Sequence, residues 1–475
     1  MSTTRNSAYV IAAQLSLLFS GALINFGLGR FLGPSAYGQF GIVYAIATVI
    51  NLLLTPGIIQ AVSKFVAENK SQAGSIAKSM LKRQLLLGIV LGAVYYLLAS
   101  PVASVLKDSS LALLLKIQTP LVLIYVLSAV YAGYLAGKGR FGINATELLI
   151  YSSSRLIITF ALAYFFSLAG AVIALPAAAL IGLVYFFFFS KIQESGSYDT
   201  KKVYSFAVPI TAFIGLIALF LNIDLFLVKA LLQDNALVGY YTAAGVVSRI
   251  PYFVLSALGI VMLPKVAEKL AAKQSAKKFV QDAFRYVIII LVPAAALIAA
   301  TGKLLVMLLY RSEYAAAGIP LSILAVGTAA LTITYLFAIV VNASGSPAFS
   351  AAVAAGMLAL SAALSLALIP RYYLVGAATA TALTSLLSMI VMFAVVYAKI
   401  GNPINYSSLI KVAAASILVF MIAVQVNLQN KFLLPVLYLS LGVLYLLALF
   451  VMKEIKREDF KRVLALIPNR LNGFF

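Results

Sequence analysis

The chain has no cysteine, no histidine and no tryptophan in 475 residues. Without cysteine there are no disulfides and no thiolate chemistry. Without histidine the usual zinc and iron sites are excluded, as is an imidazole base, so no metal site and no cofactor are expected. Without tryptophan, an interfacial belt must be built from the 26 Tyr and 29 Phe. Charge is also scarce: 10% of residues are charged, against about 25% in an ordinary soluble domain. Acid is the scarcer sign, with 13 Asp and Glu against 35 Lys and Arg. There is no Walker sequence, which excludes ATP hydrolysis by that route, and Gly27-x-Gly29-x-x-x-Gly33 has the wrong spacing for a dinucleotide loop.

What remains is apolar. Hydrophobic residues make up 63% of the chain, and the mean hydropathy is +1.06. Apolar runs of about 20 residues recur from end to end and read as transmembrane helices. Fourteen spans are expected, from residues 8–30 to residues 432–452. The first run is too long for a signal-peptide core and reads as a retained helix. The net charge of +22 does not point to nucleic acid, because Lys and Arg concentrate in alternate loops and in the tails. That asymmetry places both termini in the cytosol of a multi-pass protein of the cytoplasmic membrane. Lys265, Lys269, Lys273 and Lys277 recur every fourth residue and predict a basic amphipathic helix on the inner leaflet, in contact with membrane lipids. The tail Lys453–Arg462 reads as the helical exit of the last span.

The chain repeats itself. A shift of 201 places Gly38 on Gly239 and Lys64 on Lys265; a shift of 206 places Gly139 on Gly345 and Gly170 on Gly376. Each repeat holds six spans, an even number, so the two are expected to be related by a two-fold axis along the membrane normal. The expected fold is all-α: two pseudo-symmetric six-helix bundles plus a C-terminal helix pair. The boundaries are 1–192 for the first bundle, 193–203 for a cytosolic linker, 204–400 for the second bundle and 401–475 for the extra helices and tail. Gly88-x-x-x-Gly92 and Gly133-x-x-x-Gly137 predict close helix packing, and Pro56, Pro209, Pro251 and Pro293 predict bends.

Gly33-Pro34-x-x-Tyr37-Gly38-x-Phe40, followed by a helix and Lys64-x-x-Ala67-Glu68, resembles the multidrug/oligosaccharidyl-lipid/polysaccharide (MOP) flippase superfamily. It looks most similar to the polysaccharide branch, which includes the O-antigen flippases. The resemblance covers nearly the whole chain. It implies alternating access, a polyprenyl-(di)phosphate-linked oligosaccharide as cargo, glycosyltransferases or a polymerase of the same pathway as partners, and a monomer rather than an enzyme. Lipid II flippases have a cavity arginine in the eighth helix shortly before a Leu-Pro; here Arg249 precedes Leu263-Pro264 and matches it. They also have arginines in the second helix, where this chain has Ile50-Asn51-Leu52-Leu53-Leu54. That departure counts against lipid II itself.

Charges inside the spans are the candidate site. An intramembrane cation costs about 2.5–3.5 kcal/mol on insertion scales. Arg155 lies near the middle of span five and Arg249 near the middle of span eight, one in each half. Guanidinium pairs suit a diphosphate, so both are expected to contact substrate, with a structural ion pair or a snorkelling side chain as the alternative; Gln14, Asn25 and Asn51 read as lining groups or as ordinary polar residues between packed helices. Asp224 is expected either to pair with Arg249 or Lys229, or to bind Na+ or H+ for coupling with help from Asn222. Glu147 reads first as interfacial, with a cavity or coupling role as the alternative. Arg30 and Lys229, at the outer ends of helices one and seven, read as gate or exit residues, with interfacial anchoring as the safer alternative. A MATE-like ion-coupled exporter of small molecules is the competing function. The C-terminal pair and the intramembrane arginines count against it.

Overall fold

The computed structural model describes residues 3–192, 196–256, 258–426, 428 and 430–455. Every regular element among them is helical, the solution that satisfies all backbone N–H and C=O groups within one apolar segment. In order they are α1 (Thr3–Leu54), α2 (Pro56–Glu68), α3 (Ala73–Val105), α4 (Ser110–Gln118), α5 (Pro120–Gly137), α6 (Phe141–Ser190), α7 (Lys201–Leu232), α8 (Asn235–Ser248), α9 (Ile250–Ser256), α10 (Leu258–Ala271), α11 (Lys277–Leu309), α12 (Gly318–Ala343), α13 (Pro347–Ile400), α14 (Tyr406–Gln425) and α15 (Leu434–Val451). The centre of the expected linker, 193–195, and the expected helical exit beyond Ile455 lie outside the described residues.

Ten helical stretches among the described residues are long and apolar enough to cross a membrane. Three of them, Ala12–Glu68, Phe141–Ser190 and Pro347–Ile400, run to 50 residues or more. A straight helix of that length would measure about 75 Å, far beyond a hydrocarbon core of about 30 Å. Each is broken where one residue leaves helical geometry: Gly33 (φ 75°) in α1, Ser167 (φ 50°) in α6 and Tyr373 (φ 51°) in α13. The chain doubles back at these points. The Tyr37 hydroxyl reaches Asn25 Oδ1 at 3.0 Å across Gly33, although twelve helical residues would separate them by about 18 Å. Gly170 abuts the carbonyl of Leu162 and Gly376 that of Leu368, with no space for a Cβ.

These breaks keep the sequence repeat. The shift of 206 carries Ser167 to Tyr373, and both have ψ −130°. It carries Leu162 to Leu368, and it carries Gly139 (φ 72°) to Gly345 (φ 81°). Repetition therefore reaches backbone conformation, where residue types have diverged.

The chain packs as two compact units. The first comprises Met1–Val246 with Ala351–Thr381, the second Val247–Ser350 with Ala382–Phe475. In the first, α2, α3, α5, α6 and α7 enclose a core that includes Val62, Met80, Tyr134, Phe186 and Val203. Gly133 and Gly137 face the carbonyls of Ile59 and Ser63, the close packing expected of them. By sequence register α7 opens the second repeat, yet it packs on α1 and α2. The opening stretch explains this. Gly38 faces the carbonyl of Asn235, and Gly239 faces that of Pro34; a Cβ on either would strike backbone. The shift of 201 takes Pro34 to Asn235 and Gly38 to Gly239, so each contact is the image of the other. Reciprocal contacts of this kind are what a local two-fold axis would produce.

In the second unit α14 and α15 pack on α11 through Ile288, Val412, Val419, Leu441 and Tyr445. Arg285 on α11 binds Glu454 at 2.8 Å, with Lys411 at 3.5 Å. Burial pushes the Glu454 carboxyl up, but hydrogen bonds from Ser408 and Arg285 and the charges of Arg285 and Lys411 outweigh it and hold the group below the usual carboxylate range.

Two local expectations change. Lys265–Lys277 is not one amphipathic helix: α10 ends at Ala271, Lys273 is left-handed (φ 55°), and Lys277 begins α11. Pro56 and Pro251 do not bend helices from within; they start α2 and α9, because proline is preset for a first helical turn and lacks the N–H that an interior position needs. Pro209 and Pro293 do lie inside α7 and α11.

Candidate functional site

The first limb of α6 presents Glu147, Tyr151 and Arg155 at four-residue spacing, which places them on one face. Arg155 is 6% exposed. Its Nη1 donates to the Tyr44 hydroxyl on the second limb of α1 at 3.4 Å, a long contact. The guanidinium sits 5.9 Å from the Tyr44 ring and 5.6 Å from the Tyr151 ring, within the range of cation–π attraction. Gly21 makes room for it: a Cβ there would meet Nη2 at 3.1 Å. Ser16 and Ser152 bond at 2.9 Å and pin the first limb of α1 beside this face. Among the described residues Arg155 has no carboxylate at ion-pair distance, and its Nε has no hydrogen-bond partner. The result is a buried cation cushioned by phenols and not neutralised.

Arg249 lies in the second unit, half-buried between α8 and α9. Thr328 on α12 donates to the neighbouring Ser248 carbonyl at 2.8 Å. Tyr252 beside it meets Tyr335 edge-on at 5.8 Å.

Asp224 is 1% exposed. Its Oδ2 accepts from the Tyr241 hydroxyl at 2.7 Å and from Thr381 Oγ1 at 3.0 Å, and its Oδ1 from the Leu225 N–H at 2.8 Å. The expected pairing with Lys229 is not made. Lys229, also 1% exposed, binds Asp108 at 2.6 Å and Asn235 Oδ1. This corrects its reading as a gate or exit residue: a sealed ammonium has no free face for a passing anion. Asn222 does not assist Asp224. Its amide donates to Ala218 of its own helix at 2.8 Å, and residues two apart on a helix point to different faces.

Asp108 gathers Lys229, Asn235, Ser110 and Gln39. Burial pushes its carboxyl up, but these four bonds outweigh it and hold the group well below the usual range.

The remaining candidates disperse. Asn25 is committed to the Gly21 carbonyl at 2.8 Å and to Tyr37. Asn51 is half-buried, and its carbonyl accepts from both Thr55 N and Thr55 Oγ1 at 2.9 Å. Gln14 and Arg30 are exposed. Glu147 is half-buried with its carboxylate against Gly182. Tyr44, Tyr151, Asp108, Tyr241 and Thr381 carry no signal in the sequence alone, although Asp108 is the one acid between spans three and four.

Residues 28–319 match the family described as polysaccharide biosynthesis protein. An uncharacterized membrane protein of Methanocaldococcus jannaschii, MJ1375, is 22% identical over 289 residues, which cover 56% of this chain and 68% of that protein. Among solved structures, the lipid II flippase MurJ in its inward closed conformation aligns with a TM-score of 0.78 at 14% identity, covering 94% of this chain and 98% of MurJ. An inward-facing multidrug resistance MATE transporter aligns at 0.70 and 14% identity, covering 82% and 98%. A MOP superfamily transporter from Pyrococcus furiosus aligns at 0.60 and 15% identity, covering 83% and 96%. The chain belongs to the polysaccharide biosynthesis protein family and has the fold of the MOP superfamily.

Proposed function

We propose that this protein is a flippase, not an enzyme, which carries a polyprenyl-(di)phosphate-linked oligosaccharide across the cytoplasmic membrane by alternating access. The observation that carries the reading is Arg155: a buried guanidinium with no counter-ion among the described residues and an unbonded Nε. Leaving a buried charge unpaired is costly, and a phosphate arriving during transport would complete it through charge-assisted bonds. Arg249 is the proposed second contact. The proposed count of fourteen crossings takes each doubled-back stretch as two and α8–α10 together as one. They divide as two six-helix repeats and a C-terminal pair with cytosolic termini. Coupling to Na+ or H+ is assigned to Asp224, a fully buried carboxyl that accepts from the neutral donors Tyr241, Thr381 and Leu225 N–H.

A second reading, lipid II as cargo, draws more support from the comparisons than any other named cargo. The similarity to MurJ spans 94% of the chain, whereas that to the exporter spans 82%. Against it stands the second span, with Asn51 and no arginine. Purified protein in sealed vesicles distinguishes these readings. Fluorescent polyprenyl-diphosphate oligosaccharide, lipid II and an organic cation are offered in parallel, and loss of outer-leaflet accessibility is followed. The proposal expects movement of the first; movement of lipid II alone selects the second reading. Movement of the cation alone overturns both.

A further inference from the structure

Outside the charged site, the first unit has an apolar groove of about 610 Å³ between α3, α5 and α6. That is within the roughly 300–1,000 Å³ of small-ligand sites. Tyr131 and Leu127 of α5 form part of its lining, with Leu85, Phe187 and Phe188 beside them. Tyr131 is 9% exposed and stacks on Phe186 at 6.2 Å. Leu85 and Phe187 are 45% and 66% exposed, so the groove opens sideways, toward the surface that faces lipid in a membrane-spanning chain. One charged side chain, Lys82, is part of its wall.

Lys82 does not stand alone at that end. Lys78 precedes it by one helical turn and is exposed. Lys191 caps α6 immediately beyond Phe187 and Phe188 and is exposed. Helices α3 and α5 contain no acidic residue. None of these three lysines is paired with a carboxylate among the described residues. An apolar slot ending in ammonium groups that have no carboxylate partner among the described residues matches one kind of molecule in its surroundings: a lipid with an acyl chain and an anionic phosphate. Basic recesses between membrane helices bind such headgroups, and lysine acts there as a point charge on phosphate.

We propose that the α3–α5–α6 groove is a binding site for an anionic phospholipid, with one acyl chain against Leu127, Tyr131 and Phe187 and its phosphate on Lys82, flanked by Lys78 and Lys191. The proposal is independent of the cargo reading. The occupant is a resident of the membrane, and the groove's one charged wall residue is not among those assigned to transport.

The lack of tryptophan supplies the test. Phe188→Trp gives a protein with a single Trp at the groove, and Leu97→Trp, at a 71% exposed position further along α3, gives a control. Each is reconstituted in phosphatidylcholine vesicles containing equal mole fractions of brominated phosphatidylglycerol or brominated phosphatidylcholine, and Trp quenching is measured. The groove reporter should be quenched preferentially by the anionic lipid and the control equally by both. Adding Lys82→Gln should lower the preference roughly five-fold, while Lys82→Arg preserves it. Equal quenching of the groove reporter by the two lipids, or a preference that survives Lys82→Gln, overturns the proposal. Selective quenching by a brominated polyprenyl phosphate, with none by phosphatidylglycerol, also overturns it and gives the groove to the cargo tail instead.

Discussion

At the scale of single residues, cost separates a working charge from a structural one. Arg155 has two phenols and, among the described residues, no carboxylate. A buried charge without a counter-ion carries a desolvation cost that an apolar side chain of similar volume removes. Arg155→Leu should therefore leave thermal unfolding of the purified protein unchanged or raise its midpoint, while transport is lost; a large fall in the midpoint would make Arg155 a structural residue. Lys229 is the opposite case. Its buried ammonium pairs with the half-buried Asp108, so Lys229→Ala removes that carboxylate's charged partner, leaves its neutral donors in place and should cost about 1.5–3 kcal/mol. Asp108 also sets an acid limit. Its carboxyl is depressed in the folded state, so its contribution is complete above the unfolded value of about 4 and is lost as pH falls through the folded value. Unfolding midpoints of Asp108→Asn should be lower than wild type at neutral pH, and the gap should close in acid. The intramembrane arginines and Asp224 were legible in the sequence because charge interrupts apolar runs. Their partners were not: Tyr241 and Thr381 lie 17 and 157 positions from Asp224, and depth in a span does not say which way a side chain points. Lys229 was misread for that reason.

At the scale of elements, the repeat was legible through its glycines, and the structure supplies what they do. Gly38 and Gly239 each lie against the other's preceding turn. A methyl group on either has to displace backbone, an overpacking cost of about 1–3 kcal/mol. By the symmetry of the contact Gly38→Ala and Gly239→Ala should destabilise equally, read as unfolding midpoints in detergent. Because one separation of the helices relieves both clashes, the double variant should cost less than the sum; strict additivity would mean that the two contacts are independent. Doubling back at Ser167 and Tyr373 was not legible residue by residue, since neither type favours φ near 50°. The tight return between adjacent spans imposes it. The lysines at 265–277 show the converse failure. Their four-residue period is real, but period alone does not reveal the left-handed turn at Lys273 that divides it.

At the scale of the molecule, composition already required a polytopic helical membrane protein, and ten membrane-length stretches bear that out. The polysaccharide biosynthesis family and MOP fold follow from the comparisons. The proposed cargo rests on chemistry: each repeat carries an intramembrane guanidinium, Arg155 and Arg249, of the kind that binds phosphate. The most direct measurement is translocation of a fluorescent polyprenyl-diphosphate oligosaccharide by purified protein in sealed vesicles, comparing wild type, Arg155→Ala, Arg249→Ala and Arg155→Lys at equal reconstitution. The account expects wild type to move the lipid and each alanine variant to lose most of the rate. Arg155→Lys should recover a part of it, because lysine keeps the charge without the paired bonds. Wild-type rates in both alanine variants would contradict it.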